Sequence, residues 1–186
     1  MTDSGIRRIN VIGTSGSGKS TFGRSLAQTI QAPYLEMDNL YWKDNWEEPS
    51  DEMFFSDLEQ ALRGDSWVLD GNYSRTTQLK WKRVQLVIWL DLPFLLTFWQ
   101  VLRRSVTRAW TQRQIWPDSN NKETFSKMFR HDSVVLWSIT SYRRNRTRYS
   151  GLFHQTEQFP GVHFVRLRSH KEMRKFVAQF PESTLS

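Results

Sequence analysis

The sequence predicts a single α/β domain in which a parallel sheet of five strands lies between layers of helices. Short apolar runs alternate with longer stretches of helical periodicity over the 186 residues, a pattern typical of strand–helix–strand units. One run, Val84–Leu90, is apolar at nearly every position, as expected for a strand that is buried on both faces. Because neither a repeat nor a linker-like segment occurs, one domain is expected over residues 1–186.

The first half of the chain alternates strand and helix. Ile6–Ile12 and Pro33–Asp38 are predicted strands, and a helix is expected to begin at Lys19 between them. Its core face is formed by apolar residues at i+4 spacing: Phe22, Leu26 and Ile30. Ser50 is a suitable N-cap for a second helix, which is followed by Gly64.

The second half supplies the remaining strands, which are predicted at Trp67–Leu69, Val84–Leu90 and Val162–Leu167. Longer helical patterns follow them, from Pro93 towards Gln114, over Lys122–Tyr149 and over Lys171–Phe180. The expected order of strands and helices is therefore that of a three-layer α/β fold.

Composition restricts the classes of partner and site. The net charge of +7, from 26 basic and 19 acidic residues, suits nucleotides, nucleic acid or acidic lipid, although a solvated basic surface gives the same value. The absence of cysteine excludes disulfides and thiolate metal sites. No apolar run reaches the roughly 18 residues of a membrane span, and the first residues lack the pattern of a signal peptide.

The residues from Gly13 to Thr21 match the phosphate-binding pattern G-x-x-x-x-G-K-[ST] between a predicted strand and a predicted helix. Small residues let backbone N–H groups surround a phosphate, and the helix N-terminus adds partial positive charge. Lys19 is expected to reach the β- and γ-phosphates of ATP, and the Ser20 hydroxyl to ligate Mg²⁺. The predicted nucleotide-binding residues are Gly13, Ser15, Gly16, Ser17, Gly18, Lys19, Ser20 and Thr21.

The same loop occurs in switches, motors and kinases, so the motif alone does not give the reaction. A Gly/Ser-rich turn that only resembles the pattern is the alternative, and the strand before it and the helix after it argue against that alternative. The chain has no N-K-x-D motif of a guanine-nucleotide switch. We therefore expect a cytoplasmic, kinase-like phosphotransferase that uses ATP and Mg²⁺ on a small acceptor.

Asp70 stands at the end of a hydrophobic strand, where P-loop enzymes hold Mg²⁺, usually through water. A turn-capping Asp is the alternative. The segment D-G-N-Y-S-R-T resembles the D-G-F-P-R-T segment of adenylate kinases, in which the Asp serves the metal and the Arg holds the acceptor phosphate. Here Asn72-Tyr73-Ser74 replaces Phe-Pro, which moves Arg75 one residue later. The resemblance implies a metal role for Asp70 and an acceptor role for Arg75.

Asp38 closes the predicted second strand and should face the same crevice as the P-loop, because ligands bind at the carboxyl ends of parallel strands. There it could act on an acceptor hydroxyl, or it could be a solvated turn residue. Trp42 and Trp46 follow and could stack on an acceptor ring or belong to the core. Asp91 closes the fourth strand, and a helix cap is favoured for it over a role near the metal.

Two arginine groups follow. Arg103, Arg104, Arg108 and Arg113 come after the fourth strand, where a helical lid is predicted at about residues 103–132. Arg104 and Arg108 are the candidates for stabilising the transferred phosphoryl group, because arginine forks neutralise its oxygens. A second group, of which one or two members are expected to touch phosphate, comprises Arg143, Arg144, Arg146 and Arg148. Its basic helix with interleaved aromatic residues also fits nucleic-acid binding.

Segments across nearly the whole chain carry a wider resemblance. They are G-T-S-G-S-G-K-S-T, E-M-D-N-L-Y-W, W-V-L-D-G-N-Y, V-I-W-L-D-L-P, R-H-D-S-V-V-L-W, R-R-N-R-T-R-Y and V-R-L-R-S. Together they resemble bacterial P-loop proteins labelled DNA topology modulation proteins, or adenylate-kinase-like ATPases. The resemblance implies a nucleoside-monophosphate-kinase fold with ATP as ligand. It leaves an ATP-dependent DNA-binding or DNA-topology regulatory protein as the alternative to a kinase of a small, hydroxyl-bearing acceptor.

Overall fold

The computed structural model describes residues 5–42, 47–111 and 134–180. Within these ranges the chain forms a five-stranded sheet. The strands are β1 (Arg8–Gly13), β2 (Tyr34–Glu36), β3 (Trp67–Asp70), β4 (Leu86–Leu90) and β5 (His163–Leu167). All neighbouring strands pair in parallel in the order β2-β3-β1-β4-β5. The predicted parallel sheet is therefore confirmed, and the crevice at its carboxyl edge opens beside the central strand β1.

Helices cover both faces of the sheet. They are α1 (Lys19–Thr29), α2 (Met37–Tyr41), α3 (Asp51–Ala61), α4 (Thr77–Trp81), α5 (Phe94–Thr111), α6 (Val134–His154) and α7 (His170–Gln179). Ser50 caps α3 as predicted, since its hydroxyl accepts a hydrogen bond from the Met53 N–H at 3.3 Å. None of the described helices is both long and apolar enough to cross a membrane.

Two hydrophobic cores, one on each face, make the three layers. On one face β1 and β4 pack with α1 and α7 through residues that include Ile9, Ile88, Leu26 and Met173. The other face joins the sheet to α3 and α6, and its buried residues include Leu69, Trp89, Phe54 and Tyr149. Alternate strand residues enter opposite cores, as the period of a strand requires. The two cores therefore hold the strands in place from both faces of the sheet, including the strand ends that carry the polar residues.

The structure corrects the predicted end of the second strand. β2 stops at Glu36, which pairs with Asp70, the last residue of β3. Beyond that point no strand remains for β2 to pair with, and the chain turns into α2. Asp38 therefore lies in the first turn of a short helix and not at a strand end. Residues 122–133 of the predicted helix Lys122–Tyr149 lie outside the described residues. The described helix α6 continues beyond the predicted end to His154, because Leu152 and Phe153 pack on the core.

Candidate nucleotide and acceptor site

The loop between β1 and α1 has the backbone conformation that phosphate binding needs. Gly16 and Gly18 adopt positive φ angles of 74° and 81°. A Cβ atom at Gly16 would stand 2.3 Å from the Thr97 carbonyl oxygen, so no larger residue fits against α5 there. The Ser17 hydroxyl is buried and has no hydrogen-bond partner among the described residues. No side chain caps α1, so the backbone N–H groups at its start remain available to a phosphate.

Two cations lie on this loop. The Lys19 ammonium donates to the Thr14 carbonyl oxygen at 3.2 Å, and the Arg104 guanidinium donates to the Ser15 hydroxyl at 3.3 Å. The structure therefore brings Arg104 of α5 to the P-loop. Arg108 also lies on α5, but its side chain is outside the described residues. The predicted lid is described only over residues 103–111, as the end of α5.

Ser20 and Asp70 meet where the metal is expected. The Ser20 hydroxyl donates to Asp70 Oδ2 at 2.8 Å, and the Asp70 residue is 4% exposed. No group of three or more metal-ligating carboxylates or imidazoles occurs in the described part of the chain. Mg²⁺ prefers oxygen ligands and is held in kinases by one or two protein groups together with substrate phosphates and water. A hydroxyl and a carboxylate beside the P-loop fit that requirement.

Asp38 faces the same crevice from α2. Tyr73 donates a hydrogen bond to Asp38 Oδ1 at 2.9 Å. Desolvation by neighbouring groups raises the pKa of the Asp38 carboxyl, although the residue as a whole is exposed. The charge of Lys19, the bond from Tyr73 and the charge of Arg104 act in the opposite direction, while Asp70 raises the pKa further. Asp38 therefore lies near enough to Lys19, Asp70 and Arg104 for their charges to act on it.

The other predicted acceptor residues lie in an aromatic cluster beside Asp38. Arg75 forms an ion pair with Asp51 at 2.6 Å, and its guanidinium lies 5.1 Å from the centre of the Tyr41 ring. Trp42 is half-buried and meets the same ring edge-on at 4.9 Å. The Tyr73 ring is 5.0 Å from that of Tyr41, so the cluster is continuous with the partner of Asp38. Trp46 lies outside the described residues.

The prediction that Asp91 caps the following helix is wrong. Its side chain is 4% exposed and is bound by Arg146 Nε at 3.1 Å and by the Arg166 guanidinium at 2.5 Å. The reason is that α6 passes across the end of β4 and places Arg146 over the carboxylate. Of the second arginine group, Arg146 therefore contacts a carboxylate, while Arg143 and Arg144 are exposed on α6.

Three site residues were not predicted from the sequence. Tyr34 donates to Asp70 Oδ2 at 2.8 Å, and burial raises the pKa of its hydroxyl, so that it remains a donor. Tyr73 lies in the D-G-N-Y segment and could have been suspected from it. Lys80 is 2% exposed, and its ammonium lies 3.4 Å from the Tyr73 carbonyl oxygen. Burial lowers the pKa of Lys80 to about 7, and no signal in the sequence marks it.

Part of the sequence is similar to a known kinase family. A family model, that of shikimate kinase, matches residues 15–66. The matched segment holds Lys19, Ser20 and Asp38 but ends before Asp70. A search of curated proteins finds no match to the sequence. The family match supports a P-loop protein of the kinase type, and it does not concern DNA topology.

Several solved structures share the fold. A shikimate kinase from Acinetobacter baumannii in complex with shikimate has 16% identity and a TM-score of 0.55, covering 94% of this chain and 90% of that chain. A gluconokinase from Sinorhizobium meliloti 1021 has 14% identity and a TM-score of 0.52, covering 96% and 95%. A shikimate kinase from Aquifex aeolicus vf5 has 15% identity and a TM-score of 0.54, covering 93% of each chain. The chain therefore has the three-layer fold of P-loop kinases, as predicted.

Proposed function

We propose that the protein is a phosphotransferase that moves the γ-phosphoryl group of ATP to a hydroxyl group of a small acceptor, with Mg²⁺. The observation that carries the proposal is the placement of Asp38 in one crevice with Lys19 and the Ser20–Asp70 pair. The family match to shikimate kinase and the fold shared with a gluconokinase support a small-molecule acceptor.

The donor side binds and orients ATP. Backbone N–H groups of the loop and of the first turn of α1 hold the β-phosphate. Lys19 exchanges its hydrogen bond to the Thr14 carbonyl oxygen for bonds to the β- and γ-phosphates. Arg104, which contacts Ser15 of the P-loop, can stabilise the charge of the transferred phosphoryl group. Ser20 and Asp70 would hold Mg²⁺, which would supply positive charge to offset that of the phosphate oxygens.

The acceptor side supplies the base. The acceptor oxygen attacks the γ-phosphorus as Asp38 takes the hydroxyl proton; an O–P bond forms, the bond from the γ-phosphorus to the bridging oxygen breaks, and ADP leaves. Tyr73 occupies Asp38 Oδ1, which leaves the second carboxylate oxygen for the acceptor. A carboxylate whose pKa is raised by its surroundings is a stronger base than one in water.

The neighbouring side chains favour an uncharged acceptor. Arg75, whose guanidinium lies over the aromatic cluster, is paired with Asp51 at 2.6 Å. Tyr41 and Tyr73 offer ring surface beside the Asp38 carboxylate, on which the carbon skeleton of a nucleoside or of another hydroxylated metabolite can pack. An acceptor that already carries a phosphate would instead need a free arginine fork.

The proposal is tested by measuring ADP release from ATP and Mg²⁺ against a panel of nucleosides, nucleotides and hydroxylated metabolites, with duplex DNA as a separate arm. We expect one small acceptor to raise ADP release and to gain phosphate, which mass spectrometry of the acceptor detects. Stimulation by DNA alone, with no phosphorylated product, contradicts the proposal and favours the ATP-dependent DNA-binding alternative. Such DNA binding should weaken steeply with salt.

A further inference from the structure

Tyr34 has a position that the catalytic roles described above do not explain. It is the first residue of β2, opposite Val68 of β3, and its side chain runs along the sheet to the end of β3. There its hydroxyl donates to Asp70 Oδ2, the oxygen that also accepts from Ser20. Both bonds are 2.8 Å long, so this single oxygen is held from two sides.

The chain provides space for this side chain at Gly23 in the middle of α1. A Cβ atom at Gly23 would stand 2.9 Å from Cε2 of the Tyr34 ring, closer than real side chains approach. Glycine in a helix interior costs about 1 kcal/mol relative to alanine, and Gly23 is buried in a helix that phosphate binding requires. The absence of a side chain there lets the aromatic ring pass under α1 to Asp70.

A second contact covers the ring from outside. The Arg24 guanidinium lies 4.9 Å from the centre of the Tyr34 ring, and Arg24 also forms an ion pair with Glu36 at 3.1 Å. The ring is therefore enclosed between α1 and the end of β2. A tyrosine fixed in this way presents its hydroxyl in one direction, towards the Asp70 carboxylate.

We propose that Tyr34 is a positioning residue that fixes the Asp70 carboxylate for Mg²⁺ bound with the nucleotide. The inference rests on the proposed function, because it takes Asp70 and Ser20 as the residues that hold the metal. Ser20 changes its contacts when it ligates a metal, whereas Tyr34 can keep its bond to Asp70 throughout. Residues that orient metal ligands in this manner typically change metal affinity about 10- to 100-fold when they are substituted.

The test measures binding and contains no acceptor. Calorimetry gives the Kd of a non-hydrolysable ATP analogue at saturating Mg²⁺ and in EDTA, for wild type, Tyr34→Phe and Gly23→Ala. We expect Mg²⁺ to tighten binding in wild type, and both variants to lose about 10-fold or more of this gain. The Kd in EDTA should stay within about twofold, because neither variant touches the P-loop itself.

Gly23→Ala makes the test sharper. The added Cβ would stand 2.9 Å from Cε2 of the Tyr34 ring, so either the ring or α1 must shift. An unchanged Kd in EDTA shows that α1 and the P-loop have kept their place and that the ring has moved. The matched control is Tyr142→Phe, which removes another buried hydroxyl bond, to the Leu92 carbonyl oxygen, away from Asp70. Its Mg²⁺ dependence should equal that of wild type.

Three outcomes overturn the inference. The first is an unchanged Mg²⁺ dependence in Tyr34→Phe, and the second is an equal loss of affinity with and without the metal. The third is a wild-type affinity that does not respond to Mg²⁺, which also removes the metal role of Asp70. Because no phosphate transfer is measured, the inference can fail while the proposed reaction stands, and a missing acceptor does not affect the result.

Discussion

The donor side and the acceptor side of the crevice differ in how firmly their side chains are held. On the donor side Asp70 is 4% exposed and accepts hydrogen bonds from both Ser20 and Tyr34 at 2.8 Å. On the acceptor side Asp38 contacts solvent, and the Arg75 side chain is 39% exposed. Under the proposed function, the fold itself orients the residues for phosphate and metal, whereas acceptor recognition depends on side chains that a ligand must still order.

The largest effect is expected from Lys19→Ala on the donor side. Loss of the cation that reaches the β- and γ-phosphates should lower phosphate transfer about 100- to 1,000-fold, as removal of a charge-stabilising group typically does. This loss is measured by comparing ATP turnover and nucleotide affinity between wild type and Lys19→Ala. The control is Lys82→Ala, since Lys82 is exposed and lies away from the P-loop. Retained turnover in Lys19→Ala would show that the donor side has been placed wrongly.

Lys80 lies behind the turn that joins Asp70 on the donor side to Tyr73 on the acceptor side. Because its ammonium group is buried, we expect the stability of the fold to depend on pH. Its pKa of about 7 in the folded protein is below the ordinary 10.5. Between these values the unfolded chain binds more protons, so the free energy of unfolding rises with pH. Relative to Lys80→Met, wild type should gain about 2 kcal/mol between pH 7 and pH 9.

Urea unfolding of both proteins at the two pH values measures this gain. Lys82→Met serves as the exposed counterpart and should show no such dependence. A difference between wild type and Lys80→Met that is the same at both pH values would mean that the buried ammonium keeps its ordinary pKa.

Tyr73→Phe tests the acceptor side through the pH profile. The bond from Tyr73 lowers the pKa of Asp38, so its removal should raise that pKa further. Asp38 can accept a proton only when it is ionised, and kcat should therefore fall at a higher pH than in wild type. Rates measured from acid to neutral pH give the shift. A pH profile equal to that of wild type would mean that Tyr73 does not influence the pKa of the proposed base, Asp38.

The smallest effect is expected from Asp51→Asn. The ion pair of Asp51 with Arg75 is partly exposed, so its loss should change the free energy of unfolding by less than about 1 kcal/mol. A freed Arg75 should, however, lower KM for an acceptor that carries a phosphate or carboxylate. Comparison of KM for charged and uncharged acceptors measures this change, and equal KM values in both proteins would argue against the neutralising role of Asp51.

The donor side could be predicted from the sequence because its chemistry is encoded in contiguous residues. The spacing of the P-loop motif identified Lys19 and Ser20. Asp70 could be predicted because it directly follows a short apolar run that predicts a strand. Arg104 was predicted as a lid residue that acts on the phosphoryl group. Its contact with Ser15 could not be predicted, because the two residues are far apart in the chain. The strands were predictable from apolar runs, most clearly the three central ones, β3, β1 and β4, which are buried at nearly every position.

The acceptor side was less predictable because it is assembled by tertiary contacts. The end of β2 depends on where its neighbour β3 stops, which the sequence of β2 alone does not contain. For that reason Asp38 was wrongly predicted to lie in a strand, although its position at the carboxyl edge of the sheet was predicted correctly. Likewise, the ion pairs of Asp91 depend on the path of α6 and β5, and the burial of Lys80 depends on packing behind the turn.

The most direct test of the proposed reaction is a single-turnover assay with ATP labelled on the γ-phosphate, in wild type and Asp38→Asn. We expect Asp38→Asn to bind nucleotide as wild type does but to transfer label to the acceptor about 100-fold or more slowly. Asp65→Asn is the control, because the Asp65 side chain is 97% exposed on the surface. Transfer at the wild-type rate in Asp38→Asn would show that Asp38 is not the base, and label found only in free phosphate with every acceptor would show that the protein is not a phosphotransferase.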